Sequence, residues 1–505
     1  MSKWFCVAIL SALVALTQAS EQEQPTCTLT VQPEQSIQAA IDSAPEGAVI
    51  CMSANNFPYT EHLTITKSLT LRGAGRDKTF LTGKEIGDKP IIHIKGDKPI
   101  EVVLEDFTES WMPGSEFLPE LSGVYVQGQA KVAIRNMEIR RNSHGIVVTD
   151  MAQLQLDNVD IHWNTWRGLL VLNSAEVTIR NSLIRETGYA DGIFVGHSAR
   201  MTLVATTVSD NGRGLTVAGS ARVTISESRF VNNSWCGLTV ATAEAQVLGP
   251  PQEFQSNGAD LCGFAPASLR KPLAPQTEKT ELTVPGDYAN LQEAIDAIAP
   301  GGMITIAPGI YEVGLTLWKP VTLRGAGPEQ TLLKALTGRG LVGSMIAGIS
   351  GIQLENLAIT TEGRGSALLI AGQGQLSNVK IFDNGFDGLA IFGPAVFEVQ
   401  SSSIIGNGTF PECSMGWVIC NGIALSGQAQ LKLTDSVIRE NWDWGIAAAL
   451  TQCGFPSDAF TGTVTFEGTN IIEGNNRWGN QKGMGNPGSH PWNSPAVPDG
   501  QVCLP

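Results

Sequence analysis

The chain has 505 residues, a formal charge of −15, only 16% charged residues and 55 glycines. The acidic balance argues against general binding to nucleic acid. Low charge and abundant glycine fit a β-rich, turn-dense chain long enough for two large domains better than a helical protein.

In chain order, Lys3 precedes an apolar run over Phe5–Leu16, and small residues end at Ala19. This reads as a signal peptide over residues 1–19. The run is too short to span a membrane, and no other span is expected, so the protein is expected to be secreted or periplasmic. Eight cysteines follow: Cys27, Cys51, Cys236, Cys262, Cys413, Cys420, Cys453 and Cys503. An even count in an exported chain favours disulfides. Their spacings match no zinc motif, so no metal is expected.

The first domain is expected over 26–265. A strand at Thr28–Val31 precedes an amphipathic stretch, Ser36–Ile41, then Gly47–Cys51 and Leu69–Gly75. A repeat follows. Gly123, Gly145, Gly168, Gly192, Gly214 and Gly237 are spaced by 22, 23, 24, 22 and 23. Ala130, Ala152, Ala175, Ala199 and Ala221 keep that period, as do Ile139, Ile161, Ile184, Val208 and Phe230. Three registers on one period predict a solenoid, in which each repeat buries its apolar face on its neighbours. Within one repeat, Leu169 and Val171 share a face, Val177 and Ile179 another, and Ile184 serves a third. Alternation over short runs predicts three strands per coil and a parallel β-helix. Asn136, Asn158 and Asn181, then Asn356 and Asn378, mark one turn, with Asp435 and Asn470 expected to continue it. Asparagine tolerates the left-handed backbone of such turns.

Residues 266–281, rich in proline and mixed charge, read as a linker. The second domain, 282–505, replays the first at an offset of about 252 residues and ends in a Gly/Asn/Pro-rich tail. Its coil glycines are expected at Gly365, Gly388, Gly422 and Gly445. The step of 34 from Gly388 to Gly422 implies an insertion near 409–419.

These repeats resemble the right-handed parallel β-helix (pectin lyase-like) superfamily of pectate lyases, pectin lyases and polygalacturonases. The nearest resemblance is to its right-handed β-helix repeat protein branch. It covers nearly all of the mature chain, twice. It implies an all-β fold: two tandem right-handed parallel β-helix solenoids, each with a short N-terminal helical cap. Stacking at about 4.8 Å then suits a Cys236–Cys262 disulfide. Cys27 and Cys51 flank the first helical segment and are expected to tie it down. The pairing of Cys413, Cys420, Cys453 and Cys503 stays open.

The residue before each coil glycine enters one strand, so these residues should form a row. The first copy offers His144, Arg167, Asp191, Arg213 and Cys236; the second offers Arg364, Asp387, Asn421 and Trp444. Polygalacturonases place catalytic aspartates and a histidine in that strand, so the resemblance implies catalytic roles for Asp191 and His144. Their Asp-Asp and Arg-Ile-Lys segments are missing here. Inverting hydrolysis needs two carboxylates roughly 6.5–9.5 Å apart, and the first row holds only Asp191. A lyase would instead use Arg167 or Arg213 to neutralise a uronate, with His144 or an arginine as proton acceptor. Calcium would be a cofactor only of a pectate-lyase-like enzyme, whose diagnostic motifs are missing too. The structural alternative is an Arg-Asp-Arg ladder, repeated by Arg364 and Asp387.

Aromatic residues in the turns suit stacking on sugar rings. Substrate-binding candidates are Trp163, Trp166, Tyr189 and Trp235, then Arg364, Asp387, Trp442 and Trp444, with Trp417 in the insertion. A second insertion at 111–117 would wall the same groove. Between 121 and 235 there are 11 basic and 9 acidic residues, a net of +2 against the chain's −15. An acidic polysaccharide therefore suits the first copy and a neutral glycan the second. The expected function is binding or processing of polysaccharide, as a lyase or glycoside hydrolase. The alternative is a non-catalytic surface or periplasmic protein that binds glycan or protein.

Overall fold

The computed structural model describes residues 26–83, 89–111, 122–188, 190–336, 344–348, 351–410, 413, 420–448, 460–475 and 501–503. The signal peptide reading, Tyr189, Trp417, Cys453 and most of the C-terminal tail lie outside these residues, as does most of the insertion near 111–117.

The fold is all-β and built of stacked coils. Arg167–Val171, Glu176–Arg180 and Leu183–Arg185 form one coil. They pair in parallel with Asp191–Val195, Arg200–Val204 and Thr207–Ser209 of the next. Such coils build a 17-stranded and a 9-stranded sheet in the first half, and a 13-stranded and a 7-stranded sheet in the second. Ile146, Leu169, Ile193, Leu215, Leu238 and Leu261 stack inside the coils with 0% exposure. The interior forms two large apolar clusters, one from Val31 to Leu269 and one from Ala274 to Ile472. Short helices, Ile37–Ser43 and Leu291–Ala297, open the two halves. Ser36 caps the first by accepting from Ala39 N, and Asn290 caps the second by accepting from Gln292 N and Glu293 N.

The turn asparagines adopt the expected left-handed backbone, with φ of 50°, 53° and 50° at Asn136, Asn158 and Asn181. Asn158 donates to Asn136 Oδ1 at 2.9 Å, and Asn378 to Asn356 at 2.8 Å. Asn470 departs from this register. Thr434 pairs with Glu467, so Gly468 follows Asp435 in the row, and Asn470 accepts from Ser436 N two residues later.

A second asparagine row lies inside. Asn211, Asn233 and Asn257 are buried, and each Nδ2 or backbone N reaches the next Oδ1 at 3.0–3.3 Å. Asn384, Asn407, Asn441 and Asn475 repeat it in the second half. The coil glycines make room for this row. A Cβ on Gly192 would lie 2.6 Å from Asn211 Nδ2, and one on Gly422 2.6 Å from Asn441 Nδ2.

Gly365 does not take the coil-glycine position. Leu368 pairs with Leu389, so Ala367 aligns with Gly388. The turn is longer here: six positions separate Thr361 from Ala367, against four from Asn384 to Gly388. The pairing Leu389–Ile423 shows that the ladder continues across the insertion.

Disulfides join Cys27 to Cys51, Cys236 to Cys262 and Cys413 to Cys420, and Cys503 is also disulfide-bonded. Arg270 connects the halves. It is 4% exposed, and its guanidinium meets Asp260 at 2.5 Å and both oxygens of Asp296 at 2.7 Å. Asp260 N also donates to Thr316 Oγ1 at 2.8 Å.

Candidate functional site

The pre-glycine residues of the first half form the expected row. His144 pairs with Ser122 on one side and Arg167 on the other, and Asp191 pairs with Arg213. Asp191 is 1% exposed. Its Oδ2 meets Arg167 Nε at 3.2 Å. Its Oδ1 meets Arg213 Nη1 at 3.5 Å and accepts from Thr216 Oγ1 at 2.5 Å. Both oxygens are thus committed. The arginines are braced by rings, Arg167 over Phe194 at 4.9 Å and Arg213 over Trp235 at 4.3 Å. The strand ladder and its turns therefore produce a cation–anion–cation line along the side of the solenoid.

Trp163 and Trp166 lie in the turn leading into this row and are 46% and 42% exposed. Arg141 sits 5.3 Å above the Trp163 ring, and the His162 ring meets its edge at 4.5 Å. His162 is buried and bonds Glu138 at 2.7 Å. That bond, with Arg140 and Thr108, holds the Glu138 carboxyl down at about 2 despite burial. Trp163 has φ of 54°. The position is left-handed in coil after coil, at Arg141, Glu186, Asp210 and Asn232. Asparagine suits it; a bulky ring there costs roughly 1–2 kcal/mol.

The second half does not repeat the ladder. Arg364 lies in the lengthened turn and off the row. It pairs with Glu362 at 3.1 Å and donates to the carbonyls of Leu336 and Ala335. Ser366 takes the position aligned with Asp387. Asp387 instead accepts from Asn421 N at 2.7 Å. Trp444 is 3% exposed and packs with Ala447 and Cys503, so it offers no face to a ligand. Trp442 is half-buried, and so is Trp235, whose ring meets Phe386 of the second half at 5.7 Å.

Three carboxyl groups are shifted upward. Burial raises Glu109 to about 8 against the opposing hydrogen bond from Asn142. Burial raises Asp387 to about 7, helped by the charge of Asp443 and opposed by the Asn421 amides. Burial raises Asp443 to about 6 against the hydrogen bond from Cys420 N. Glu109, Glu138 and Asp443 lie outside the expected site because they stand off the glycine register; burial marks Glu109 and Asp443, and the His162 bond marks Glu138. Among the described residues, no group of three or more His, Cys, Asp or Glu could hold a metal ion, and no helix is long and apolar enough to cross a membrane.

Residues 122–257 match the family described as Right handed beta helix region. The chain thus has the right-handed parallel β-helix fold of that superfamily. No curated protein matches it. Among solved structures it is similar to the catalytic unit of a thermostable α-1,3-glucanase from Streptomyces thermodiastaticus, at 15% identity and TM-score 0.30, over 86% of this chain and 64% of that one. This chain therefore spans less than two thirds of that catalytic unit. A pectin methylesterase from Erwinia chrysanthemi is similar at 13% identity and TM-score 0.26, over 64% and 93% of the two chains. An N-terminal fragment of bacteriophage Phi29 gene product 12 is similar at 12% identity and TM-score 0.34, over 79% and 67%.

Proposed function

We propose that the protein is an exported β-helix that binds polysaccharide along the side of its first half, with the chain lying on Trp163 and Trp166 and facing the Arg167–Asp191–Arg213 row. Trp163 carries this reading. Its ring is exposed, so it adds little to the core, and its backbone position disfavours it. A ring held there by Arg141 and His162 suits stacking on a pyranose face. The local net charge of +2 favours an acidic polysaccharide. Export is supported by the disulfides.

Asp191 supports binding over catalysis in this row, because its carboxylate is 1% exposed and already engaged by two arginines and a threonine. The second reading, a hydrolase, is favoured by Asp387 and Asp443, whose raised carboxyls could exchange protons near neutral pH.

The test measures retention on polygalacturonate, alginate and neutral glucan, together with release of unsaturated uronates and new reducing ends. We expect binding without product, weakened about fivefold or more in Trp163→Asn, as for a hot-spot aromatic. No retention on any polysaccharide sinks the reading. Product that disappears in Asp191→Asn would make the row catalytic instead.

A further inference from the structure

We infer that the junction between the two halves holds a second ligand site, for a neutral sugar, built from the indole N–H groups of Trp235 and Trp442 and the carboxyl groups of Asp387 and Asp443. The inference rests on the polysaccharide reading above and extends it to Trp442, Asp387 and Asp443, away from Trp163 and Trp166.

The junction is assembled from both copies of the repeat. Trp235 comes from the turn before the last coils of the first half. Its ring meets Phe386 at 5.7 Å, and Phe386 meets Phe410 at 5.0 Å. Trp442 and the Cys413–Cys420 disulfide complete the same cluster. Neighbouring residues bring in the acids. Asp387 follows Phe386 in the chain, Asp443 follows Trp442, and Asp443 Oδ2 accepts from Cys420 N at 2.7 Å.

The polar atoms of this cluster are left incomplete. The Nε1 atoms of Trp235 and Trp442 are buried and have no hydrogen-bond partner. A buried donor is costly unless something accepts from it, and buried donors in folded proteins are otherwise nearly all satisfied. Asp387 spends Oδ1 on the Asn421 amides and Asp443 spends Oδ2 on Cys420 N. Among the described residues no hydrogen bond reaches the other oxygen of either.

The chemistry of these groups selects the ligand. A hydroxyl both donates and accepts, so it can take an indole proton and give one to a carboxyl oxygen. Aromatic rings beside those groups suit the apolar face of a pyranose. A uronate would bring its own negative charge against two acids, which costs more as they ionise. A neutral oligosaccharide meets all of these conditions, and an acidic one fails the last.

The test is titration calorimetry on the full chain with cellohexaose, mannohexaose and hexagalacturonate at neutral pH, with thermal melting to confirm that each variant folds. We expect a neutral hexasaccharide to bind saturably and hexagalacturonate not to compete for its site. Trp442→Leu and Trp235→Leu, on opposite sides of the junction, should each weaken it about tenfold. The isosteric Asp443→Asn tests the carboxyl with the shape kept and should also weaken binding. No binding of either neutral probe, or binding that survives both Trp442→Leu and Asp443→Asn, overturns the junction site. Neutral binding lost only in Trp163→Asn overturns it too while leaving the lateral site standing. Loss only in the junction variants is the expected result and leaves the lateral site to its own test with acidic polysaccharide.

Discussion

Asparagine serves two separate needs in each coil. On the outside it accepts a left-handed backbone, and inside it carries hydrogen bonds from coil to coil. Asn233 bonds Asn211 and Asn257 together, so Asn233→Ala should lower stability by about 1–3 kcal/mol, read as a lower melting temperature. Trp163→Asn makes the opposite prediction for stability. It replaces a strained residue with one suited to the position and should raise the melting temperature even as glycan binding falls. A variant that melts lower would mean that the ring contributes packing. Glu109 adds a pH dependence. Its folded carboxyl is raised from 4.5 to about 8, so the native state holds a proton that the unfolded chain has lost. Stability should therefore fall as pH rises through that interval and level off above it. Glu109→Gln should flatten the fall and melt higher than the parent at pH 8; an unchanged profile would place the proton elsewhere. The glycine row could be read from the sequence because its spacing is regular. The reason for the glycines could not, since the inner asparagines stand three or four residues earlier and their contacts cross coils.

At the scale of elements, strands and the asparagine turns were readable and turn lengths were not. Leu169, Val171, Val177, Ile179 and Ile184 face inward as their alternation predicts. A strand has one period, and an error of one residue exposes its core face. Turns carry no such penalty. Two extra residues between Thr361 and Ala367 leave the strand pairing intact and still move Arg364 off the row, so a pattern counted from Gly365 missed both. The same freedom let Trp444 fall inside and Trp442 stay half-exposed. The segment between the halves is ordered by charge. Arg270 meets one aspartate from each half, and Trp318 Nε1 and Gln292 Nε2 also donate to Asp296. Arg270→Ala leaves the buried Asp296 and the half-buried Asp260 without their shared cation and should cost about 3–5 kcal/mol. Replacing Arg270, Asp260 and Asp296 together with apolar residues of similar volume should recover much of it. A single variant that melts like the parent would show that the halves hold together without this arginine.

At the scale of the whole molecule, each coil touches only its neighbours, so stability is close to a sum over coils and their contacts. The cation–anion–cation line follows from the same construction. Every coil advances by one strand spacing, about 4.8 Å, and contributes one side chain to the line. Arg167, Asp191 and Arg213 are thus marks on a ruler whose graduations are set by backbone hydrogen bonds. A polymer lying along it would be measured before it is recognised: its charges must recur in step with the coils or drift out of phase within a few units. Excising one whole coil would keep the graduations and shorten the scale, whereas lengthening a turn would leave the scale intact and erase a single mark.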